Sequence, residues 1–289
     1  MKIRPINKER RNHMTVLIVG LGLIGGSYAK ALKAKTGHTV LGLDNNPEVI
    51  VQALKSGSID RAAAAEDLKT ADLIILALYP AQTVEFITGH ARDFGFHPLV
   101  IDSCGVKETI CRSVYPLAAR HGFRFVGTHP MAGKEKGGFE SSDAGLFDGA
   151  RFIITPERPK SPEIETLCAF AVELGFTKCI VTSPARHDEM IAYTSQLPHI
   201  LACAYIFDER AKEHDGFSAG SFRDVSRVAQ INEVMWTQLF MENREPLSQQ
   251  ISGLIKNLSL LKDAVDAGDS KTMTSLLRKG RLIKEEITP

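Results

Sequence analysis

Short apolar segments rich in β-branched residues alternate with longer helical stretches from Thr15 to about Ser183. This alternation is typical of a parallel sheet that helices cover on both faces. We therefore predict a doubly wound α/β domain over residues 14–183. The predicted strands are Thr15 to Val19, Thr39 to Leu43, Asp72 to Leu78, Leu99 to Asp102, Phe123 to Gly127, Phe152 to Thr155 and Lys178 to Thr182.

Two proline steps mark predicted helix starts within this domain. Asn46-Pro47-Glu48 and Ser161-Pro162-Glu163 each place a residue with a capping side chain before a proline. Proline is favoured at the first helical position, where its missing N–H costs nothing. We therefore expect Asn46 and Ser161 to cap the helices that follow them.

The strand pattern stops after Ser183-Pro184, and apolar residues then recur at three- and four-residue spacing to the end of the chain. This spacing predicts an all-α domain over residues 184–289. One apolar stripe consists of Leu247, Ile251, Leu254, Ile255, Leu258, Leu261 and Val265, and a second of Val228, Ile231, Met235 and Leu239. The stripes either pack on the first domain or form a dimer interface, and the length of the first stripe favours a homodimer.

Charge and apolar content limit the classes of partner. The chain of 289 residues has 35 basic and 34 acidic residues, so its overall field favours neither nucleic acid nor an anionic membrane. The longest apolar run, Ile200 to Phe207, is far shorter than the roughly 18 to 20 residues that span a bilayer. We therefore expect a small-molecule partner, with no nucleic acid and no membrane.

The first residues and the cysteines indicate the compartment. Residues 1–13 contain five basic residues against one acidic residue and lack the apolar stretch of a secretory signal, which predicts a flexible tail and makes Met14 a second candidate start. The five cysteines include no Cys-x-x-Cys pair, which argues against disulfides and against a zinc site. We expect a reducing, cytoplasmic location and no bound metal.

A glycine-rich turn follows the first predicted strand and opens a predicted helix. Its residues are Gly20-Leu21-Gly22-Leu23-Ile24-Gly25. In a Rossmann-type domain the first glycine permits the tight turn, the second admits a pyrophosphate, and the third allows close packing of helix and strand. We assign Gly20, Gly22, Leu23, Ile24 and Gly25 to dinucleotide binding.

The residue at the end of the second predicted strand chooses the dinucleotide. Asp44 can accept hydrogen bonds from the ribose hydroxyls of NAD, whereas its charge would repel the 2′-phosphate of NADP. The next residues, Asn45 and Asn46, supply no positive charge. The cofactor is therefore predicted to be NAD; the alternative role for Asp44 is a turn or helix cap.

A histidine stands at the same edge of the predicted sheet as the glycine turn. His129 follows the strand Phe123 to Gly127 and is itself followed by Pro130, which holds its backbone extended. Ligands bind at the carboxyl edge of such sheets. His129 is thus a candidate catalytic base, and the alternative is a histidine whose bonds serve only the fold.

Four motifs together resemble the prephenate dehydrogenases, bacterial enzymes of tyrosine biosynthesis. The motifs are Val19 to Ser27, Thr128 to Gly133 with Glu135-Lys136, Gln196 to His199, and Phe222 to Arg227. The resemblance spans nearly everything from Met14 to the final helix. It implies NAD binding in the first domain, a helical dimerisation domain, and oxidative decarboxylation of prephenate to 4-hydroxyphenylpyruvate.

The resemblance also implies roles for individual residues. His129 matches the catalytic histidine, which takes the hydrogen bond of the substrate's ring hydroxyl as hydride leaves the same carbon. Arg227 matches the arginine that holds a carboxylate, and Arg223 and His199 match polar positions of the substrate pocket. Glu135 matches an acidic residue at the mouth of the pocket, where it is expected to pair across the opening.

One position departs from the family pattern. Gly105 stands where many relatives have a serine that contacts the substrate, within Ser103-Cys104-Gly105. We assign Ser103 and Gly105 to substrate binding, and either Ser103 or a water molecule is the candidate replacement for the missing hydroxyl. The two arginines lie four residues apart, one turn along the same face of a predicted helix, where a guanidinium suits a carboxylate of prephenate; the alternative is a solvated pair that also bonds Asp224.

Other functions remain open on the sequence. Arogenate, which has an amine in place of the keto group, is the closest rival substrate. A two-domain 3-hydroxyacid or imine dehydrogenase would carry a catalytic lysine in the stretch that here reads Asp188 to Tyr193. An NAD-sensing binding protein is the non-enzymatic alternative. Tyrosine shares the ring hydroxyl and a carboxylate with the product, which leaves feedback at the active site open.

Overall fold

The computed structural model describes residues 13–288. Eight strands form one sheet in the order β3-β2-β1-β4-β5-β6-β7-β8. The strands are β1 Thr15–Val19, β2 Thr39–Leu43, β3 Arg61–Ala62, β4 Leu73–Leu76, β5 Leu99–Asp102, β6 Arg124–Pro130, β7 Arg151–Thr155 and β8 Lys178–Val181. All seven predicted strands are confirmed, whereas the two-residue edge strand β3 was not predicted from the sequence.

The strand β6 extends beyond its predicted end. It continues to Pro130 and so includes His129 in the sheet rather than in the following loop. The backbone of His129 pairs in register with Ile153 of β7. The histidine is therefore held by the sheet itself.

The expectation of a parallel sheet is wrong at one pair of strands. β7 runs antiparallel to β6, while β8 is again parallel to β7. A parallel return needs a crossover, usually a helix. Between β6 and β7 the chain forms only a short 3₁₀ turn, Phe139–Ser141, so it returns in the opposite direction.

Six helices accompany the sheet. They are α1 Leu23–Lys35, α2 Pro47–Lys55, α3 Asp67–Thr70, α4 Pro80–His90, α5 Glu108–His121 and α6 Glu163–Glu173. The predicted cap of α2 is confirmed, since the Asn46 side chain accepts from the Glu48 amide at 3.0 Å. The predicted cap of α6 is wrong: the helix begins one residue later, and Ser161 bonds the Glu163 carboxylate instead of the backbone.

Two apolar clusters cover the two faces of the sheet. Val16 and Ile18 of β1 belong to one cluster, and Leu17 and Val19 to the other. Successive residues of a strand face opposite sides, so β1 is buried on both. The predicted covering of both faces by helices is confirmed.

The chain after β8 is helical. Its helices are α7 Pro184–Ile191, α8 Leu197–Ile206, α9 Gly220–Ser226, α10 Glu233–Glu242, α11 Arg244–Asp266 and α12 Ser270–Ile287. A π-helical turn, Ala192–Gln196, joins α7 to α8, and a 3₁₀ turn, Arg227–Ala229, follows α9. Within residues 13–288 no helix is long and apolar enough to cross a membrane. The predicted basic tail falls almost entirely on residues 1–12, outside the described residues.

The two predicted apolar stripes lie in different environments. The first lies along α11, where Leu247 is buried but Ile255, Leu258 and Val265 are 59%, 49% and 66% exposed. The second is not one helical stripe, because α10 begins only at Glu233, after Val228 and Ile231. All four residues of the second stripe line a cavity instead.

Candidate active site

A cavity of about 610 Å³ lies between the carboxyl edge of the sheet and the helical half. The loops after β1, β4, β5 and β6 form one wall, and residues of α8 and α10 form the other. Nine of the predicted site residues line it: Gly22, Leu23, Ile24, Ser103, Gly105, His129, Glu135, His199 and Arg227. Gly20, Gly25, Asp44 and Arg223 are not among its lining residues.

The glycine turn has the geometry that a dinucleotide requires. Gly20 has φ +85°, and a Cβ there would lie 2.6 Å from the Ala77 carbonyl oxygen. A Cβ on Gly25 would lie only 1.8 Å from the Gly20 oxygen, so helix and turn can pack this closely only without it. A Cβ on Gly22 would meet nothing within 4 Å and would extend into the open space of the cavity.

The first turn of α1 is suited to bind an anion. Gly22 caps this helix of 13 residues without a side-chain hydrogen bond, and the first turn contains no acidic residue. Free N–H groups and the positive end of the helix dipole favour a phosphate. Together with the open space above Gly22, these features fit the pyrophosphate of a dinucleotide.

Asp44 is held in position by the glycine turn. Its Oδ2 accepts from the Leu21 amide at 2.7 Å, and its Oδ1 accepts from the Asn46 amide at 2.9 Å. Each carboxylate oxygen retains a further lone pair, because an ionised carboxylate accepts about four hydrogen bonds. Asp44 can therefore stabilise the turn and bind the ribose hydroxyls at the same time.

His129 is bonded to a second histidine. Its Nδ1 lies 2.9 Å from Nε2 of His187, and the two rings meet edge to face. The pKa of His129 is held well below the usual value for histidine, first by burial and then by His187 and Lys107. His129 is therefore a neutral imidazole at neutral pH, the form that can accept a proton.

His187 is in turn bonded to a buried carboxylate. Its Nδ1 lies 2.6 Å from Oδ1 of Asp188. Burial lowers the pKa of His187, although Asp188 acts in the opposite direction. Asp188 also accepts from the backbone amides of Lys107 at 2.7 Å and Glu108 at 2.8 Å, at the start of α5.

A buried ion pair supports the loop beside His129. Lys107 Nζ contacts Asp102, and both side chains are fully buried. The Asp102 carboxylate also accepts from the amides of Thr128 and Cys104, each at 3.0 Å. It thereby ties the residue before His129 to the loop that carries Ser103 and Gly105.

Ser103, one of the two candidates for the missing serine hydroxyl, does not bond His129. A Cβ on Gly105 would lie 3.8 Å from Nε2 of His129, so the gap at this position adjoins the catalytic nitrogen. Ser103 does not fill it: its hydroxyl is buried near the Tyr28 hydroxyl, and neither finds a partner of good geometry in the described chain. The expectation that Ser103 replaces the family serine is thus not supported by the contacts.

The two predicted arginines lie in different environments. Arg227 Nη1 donates to Oε1 of Glu135 at 2.8 Å across the cavity opening, which is the ion pair expected for Glu135. Arg223 is 79% exposed and approaches only Asp224, at 3.7 Å. The Arg227 amide donates to the Arg223 carbonyl, so the two residues lie one helical turn apart as predicted, but their side chains have different partners.

His199 has a fixed ring in the cavity wall. Its Nδ1 donates to the Ser195 carbonyl at 2.8 Å, and its ring stacks on Trp236 with centroids 3.8 Å apart. With Nδ1 engaged, Nε2 is the nitrogen left for a ligand. Trp236 itself was not predicted as a site residue.

The sequence interpretation also missed His187, Asp188, Lys107 and Asp102. The signal that could have revealed the first two is the adjacent His187-Asp188 pair on a helix that begins just after the last strand. Within residues 13–288, no three His, Cys, Asp or Glu side chains are grouped so that they could hold a metal ion.

The fold and the site define a dinucleotide-binding dehydrogenase with a helical second domain. Residues 28–176 match the family model of the prephenate dehydrogenase nucleotide-binding domain, and residues 183–279 match that of the prephenate dehydrogenase dimerization domain. The chain therefore belongs to the prephenate dehydrogenase family, and the resemblance seen in its motifs is confirmed.

Relatives and solved structures agree with this family. A prephenate dehydrogenase of Lactococcus lactis subsp. cremoris is 32% identical over 93% of this chain and 76% of its own. The crystal structure of Aquifex aeolicus prephenate dehydrogenase with hydroxyphenyl propionate and NAD⁺ has a TM-score of 0.84 at 28% identity, covering 96% of this chain and 99% of that one. Synechocystis arogenate dehydrogenase has a TM-score of 0.79 at 26% identity, covering 95% and 100%.

Proposed function

We propose that this protein oxidatively decarboxylates prephenate to 4-hydroxyphenylpyruvate with NAD as the hydride acceptor. The observation that carries the proposal is a neutral His129 in the same cavity as the dinucleotide turn and a cationic Arg227. A base, a hydride acceptor and a carboxylate ligand are the three parts that this reaction needs. Family membership supports the same reaction.

His129 acts as the general base in this proposal. It accepts the proton of the ring hydroxyl while the hydroxyl-bearing carbon becomes a carbonyl. Bound NAD supplies the acceptor for the hydride that leaves this carbon. The C–C bond to the ring carboxylate then breaks, its electron pair makes the ring aromatic as CO₂ leaves, and the oxygen takes back a proton from His129 to give the phenol.

The glycine turn and Asp44 hold the dinucleotide. The first amides of α1 bind the pyrophosphate, and the Asp44 carboxylate accepts the ribose hydroxyls. A 2′-phosphate would be repelled by the same carboxylate. The aligned Aquifex structure contains NAD⁺, which agrees with this choice.

Arg227 binds a carboxylate of the substrate, and His199 contacts the substrate beside it. The Arg227 guanidinium can form two parallel hydrogen bonds to the carboxylate. His199 already donates from Nδ1 to the Ser195 carbonyl, so it bonds a carboxylate only when Nε2 is protonated. Arg227 already pairs with Glu135 at the exposed mouth of the cavity, so a substrate carboxylate must share or replace that partner. The predicted role of Arg223 in substrate binding would require its side chain to reach the cavity, and Arg223 is not among the lining residues.

Arogenate is the second candidate substrate. Its amine needs a hydrogen-bond acceptor, and Glu135 provides a carboxylate at the cavity wall. The similarity to an arogenate dehydrogenase structure favours the same possibility. A 3-hydroxyacid or imine dehydrogenase is less well supported, because α7 contains no lysine and instead presents His187 and Asp188.

Turnover tests the proposal. The purified full chain is mixed with NAD or NADP and with prephenate or arogenate, and the absorbance of the reduced nicotinamide is followed. We expect prephenate with NAD to have the highest kcat/KM. Higher kcat/KM with arogenate would establish the second candidate, and binding of NAD without turnover of either substrate would favour an NAD-sensing protein.

The finer features of the protein are proposed with it. We infer a homodimer formed through residues beyond about Ser183, in line with the dimerization-domain match. The boundary between residues 183 and 184 and a cytoplasmic location, suggested by five free cysteines, are part of the same proposal. Inhibition by tyrosine follows if its ring hydroxyl and carboxylate occupy the positions of the product, and competition against prephenate tests it.

A further inference from the structure

We propose that His187 and Asp188 are positioning residues for the catalytic base. They fix the neutral tautomer of His129 that leaves Nε2 unprotonated towards the cavity, and they share the positive charge that His129 acquires. The kinetic part of this inference rests on the proposed function. The tautomer itself is a property of the free protein and can be measured without substrate.

The hydrogen bonds that orient His129 start at Asp188. Its two oxygens accept from consecutive backbone amides, those of Lys107 and Glu108, at the N-terminus of α5. This environment favours the ionised carboxylate, because both the N–H groups and the helix dipole stabilise negative charge. An ionised carboxylate can only accept hydrogen bonds. His187 must therefore donate from Nδ1 to Asp188 across the 2.6 Å contact.

The position of the proton on His187 in turn fixes the position of the proton on His129. A neutral imidazole with a proton on Nδ1 has an acceptor lone pair on Nε2. Nε2 of His187 lies 2.9 Å from Nδ1 of His129, so the His129 nitrogen must donate. The neutral His129 ring then carries no proton on Nε2, the atom that faces the gap at Gly105 in the cavity. The tautomer of a neutral histidine follows the hydrogen bonds that its two nitrogens are offered.

The two histidines together accommodate the proton that leaves the substrate. When a substrate hydroxyl transfers its proton, its O–H bond breaks and an N–H bond forms at Nε2 of His129. The resulting positive charge is shared through the Nδ1 proton with His187, next to the carboxylate of Asp188. The other charged groups facing the pair are Lys107 and Asp102, and they form an ion pair with each other. Asp188 is therefore the unpaired negative charge that balances the imidazolium.

Two substitutions of His187 separate positioning from packing. In His187→Leu no group accepts from Nδ1 of His129. In His187→Gln the side-chain oxygen can accept from His129 while the amide group donates to Asp188, although glutamine cannot take up a proton. His90→Asn is the matched control, because His90 also contacts an aspartate, Asp93 at 2.9 Å, but on the exposed surface.

The first readout is ¹⁵N NMR of the histidine rings in the full chain at neutral pH. We expect His129 of the wild type, of His187→Gln and of His90→Asn to carry its proton on Nδ1. In His187→Leu the proton should move at least partly to Nε2. A wild type with the proton on Nε2, or a His187→Leu variant with an unchanged tautomer, would overturn the inference.

The second readout is steady-state kinetics. We expect kcat of His187→Leu to fall by about 10² to 10³, as when a catalytic histidine loses the partner that sets its tautomer, with a smaller loss for His187→Gln. KM values for NAD and prephenate should change by less than about threefold, since the binding residues are untouched. Equal losses in both variants would show that packing, not hydrogen bonding, is lost.

The two proposals can fail separately. A wild type that does not turn over prephenate but has the Nδ1 proton on His129 would refute the function and retain the positioning role. Turnover with kcat unchanged in His187→Leu would do the reverse. Thermal unfolding is measured in parallel, and if His187→Leu does not fold, the tautomer of His187→Gln decides the question.

Discussion

The two halves of the chain treat their apolar residues differently. The sheet half buries its own: its largest fully buried side chains include Tyr28, Phe147 and Phe152. The helical half leaves Phe207, Ile255 and Leu277 more than half exposed. The same kind of apolar pattern thus predicts a core in one half and a surface for association in the other.

Polar contacts between the two halves adjoin the candidate active site. His129 meets His187, the amide of Lys107 meets Asp188, and Asn243 links Asp188 to Gln196 within the helical half. In the proposed function each half contributes something that the other lacks: the first provides the dinucleotide turn and the base, and the second provides Arg227 and the groups that orient the base. Variants can test this division.

The largest effect is expected at the proposed base, His129. Its backbone lies in the first half, and its ring bonds His187 of the second half. His129→Asn should lower kcat by about 10² to 10⁴, because the amide accepts a hydrogen bond but no proton. Binding of NAD should survive, since the glycine turn and Asp44 are unchanged. His90→Asn serves as the surface control, and a near-normal kcat of His129→Asn would show that another group is the base.

The pH dependence sharpens the same point. The base works only when it is neutral, so activity is lost as pH falls through the pKa of His129. Burial, followed by His187 and Lys107, lowers this pKa, so the acidic limb of kcat/KM should lie well below the ordinary histidine range. A pH-rate profile of the wild type and of His129→Asn measures it, and a limb near pH 6.5 in both proteins would contradict the assignment.

Arg227 tests whether the second half binds the substrate. Arg227→Ala should raise KM for prephenate about 10- to 1000-fold while KM for NAD stays nearly constant, because a substrate carboxylate loses its partner and the dinucleotide turn is unchanged. Arg210→Ala, an exposed arginine bonded to Asp208, is the control. An equal loss of NAD affinity would make Arg227 structural. A similarly large effect of Arg223→Ala would return that residue to the substrate site.

The exposed stripe of α11 tests the predicted association. Leu258→Asp should weaken the homodimer by about 10- to 100-fold, since a carboxylate would be buried without a partner. Ser252→Asp adds the same charge on a different face of the helix and should have little effect. Light scattering at micromolar concentration gives the mass; an active wild-type monomer would refute the dimer.

The smallest effect is expected at Asp44, which should depend on the first half alone. Asp44→Ser should weaken NAD binding by about tenfold and penalise NADP less, because repulsion of the 2′-phosphate is removed. Asn45→Ser is the neighbouring control. Equal kcat/KM of the wild type with NAD and NADP would contradict the reading.

The features that the sequence predicted well are those that depend on neighbouring residues. Strands buried on both faces leave continuous apolar runs, and the glycine turn needs only six consecutive positions. The direction of β7 was not predictable in the same way, because an apolar run looks alike in both directions. It depends on the connection, which here lacks a crossover helix.

Site residues that lie in sequence motifs were predicted, whereas those brought together only by packing of the two halves were not. His129 and Arg227 lie in recognisable motifs, and both line the cavity. His187 lies 58 residues from His129 in the sequence, and their contact arises only when α7 packs against the sheet. Arg223 lies one helical turn before Arg227, as its spacing predicted, but spacing does not tell which of the two side chains reaches the cavity, and only Arg227 lines it.

The cap of α5 has a consequence for the order in which the molecule assembles. The residue before this helix provides no side-chain cap, and the first amides are bonded instead by Asp188, about 80 residues further along the chain. A chain synthesised from its N-terminus must therefore wait for α7 before the first turn of α5 acquires its partner. All strands of the sheet and the dinucleotide turn precede α7 in the sequence, so the residues that hold the dinucleotide are synthesised before His187 and Asp188.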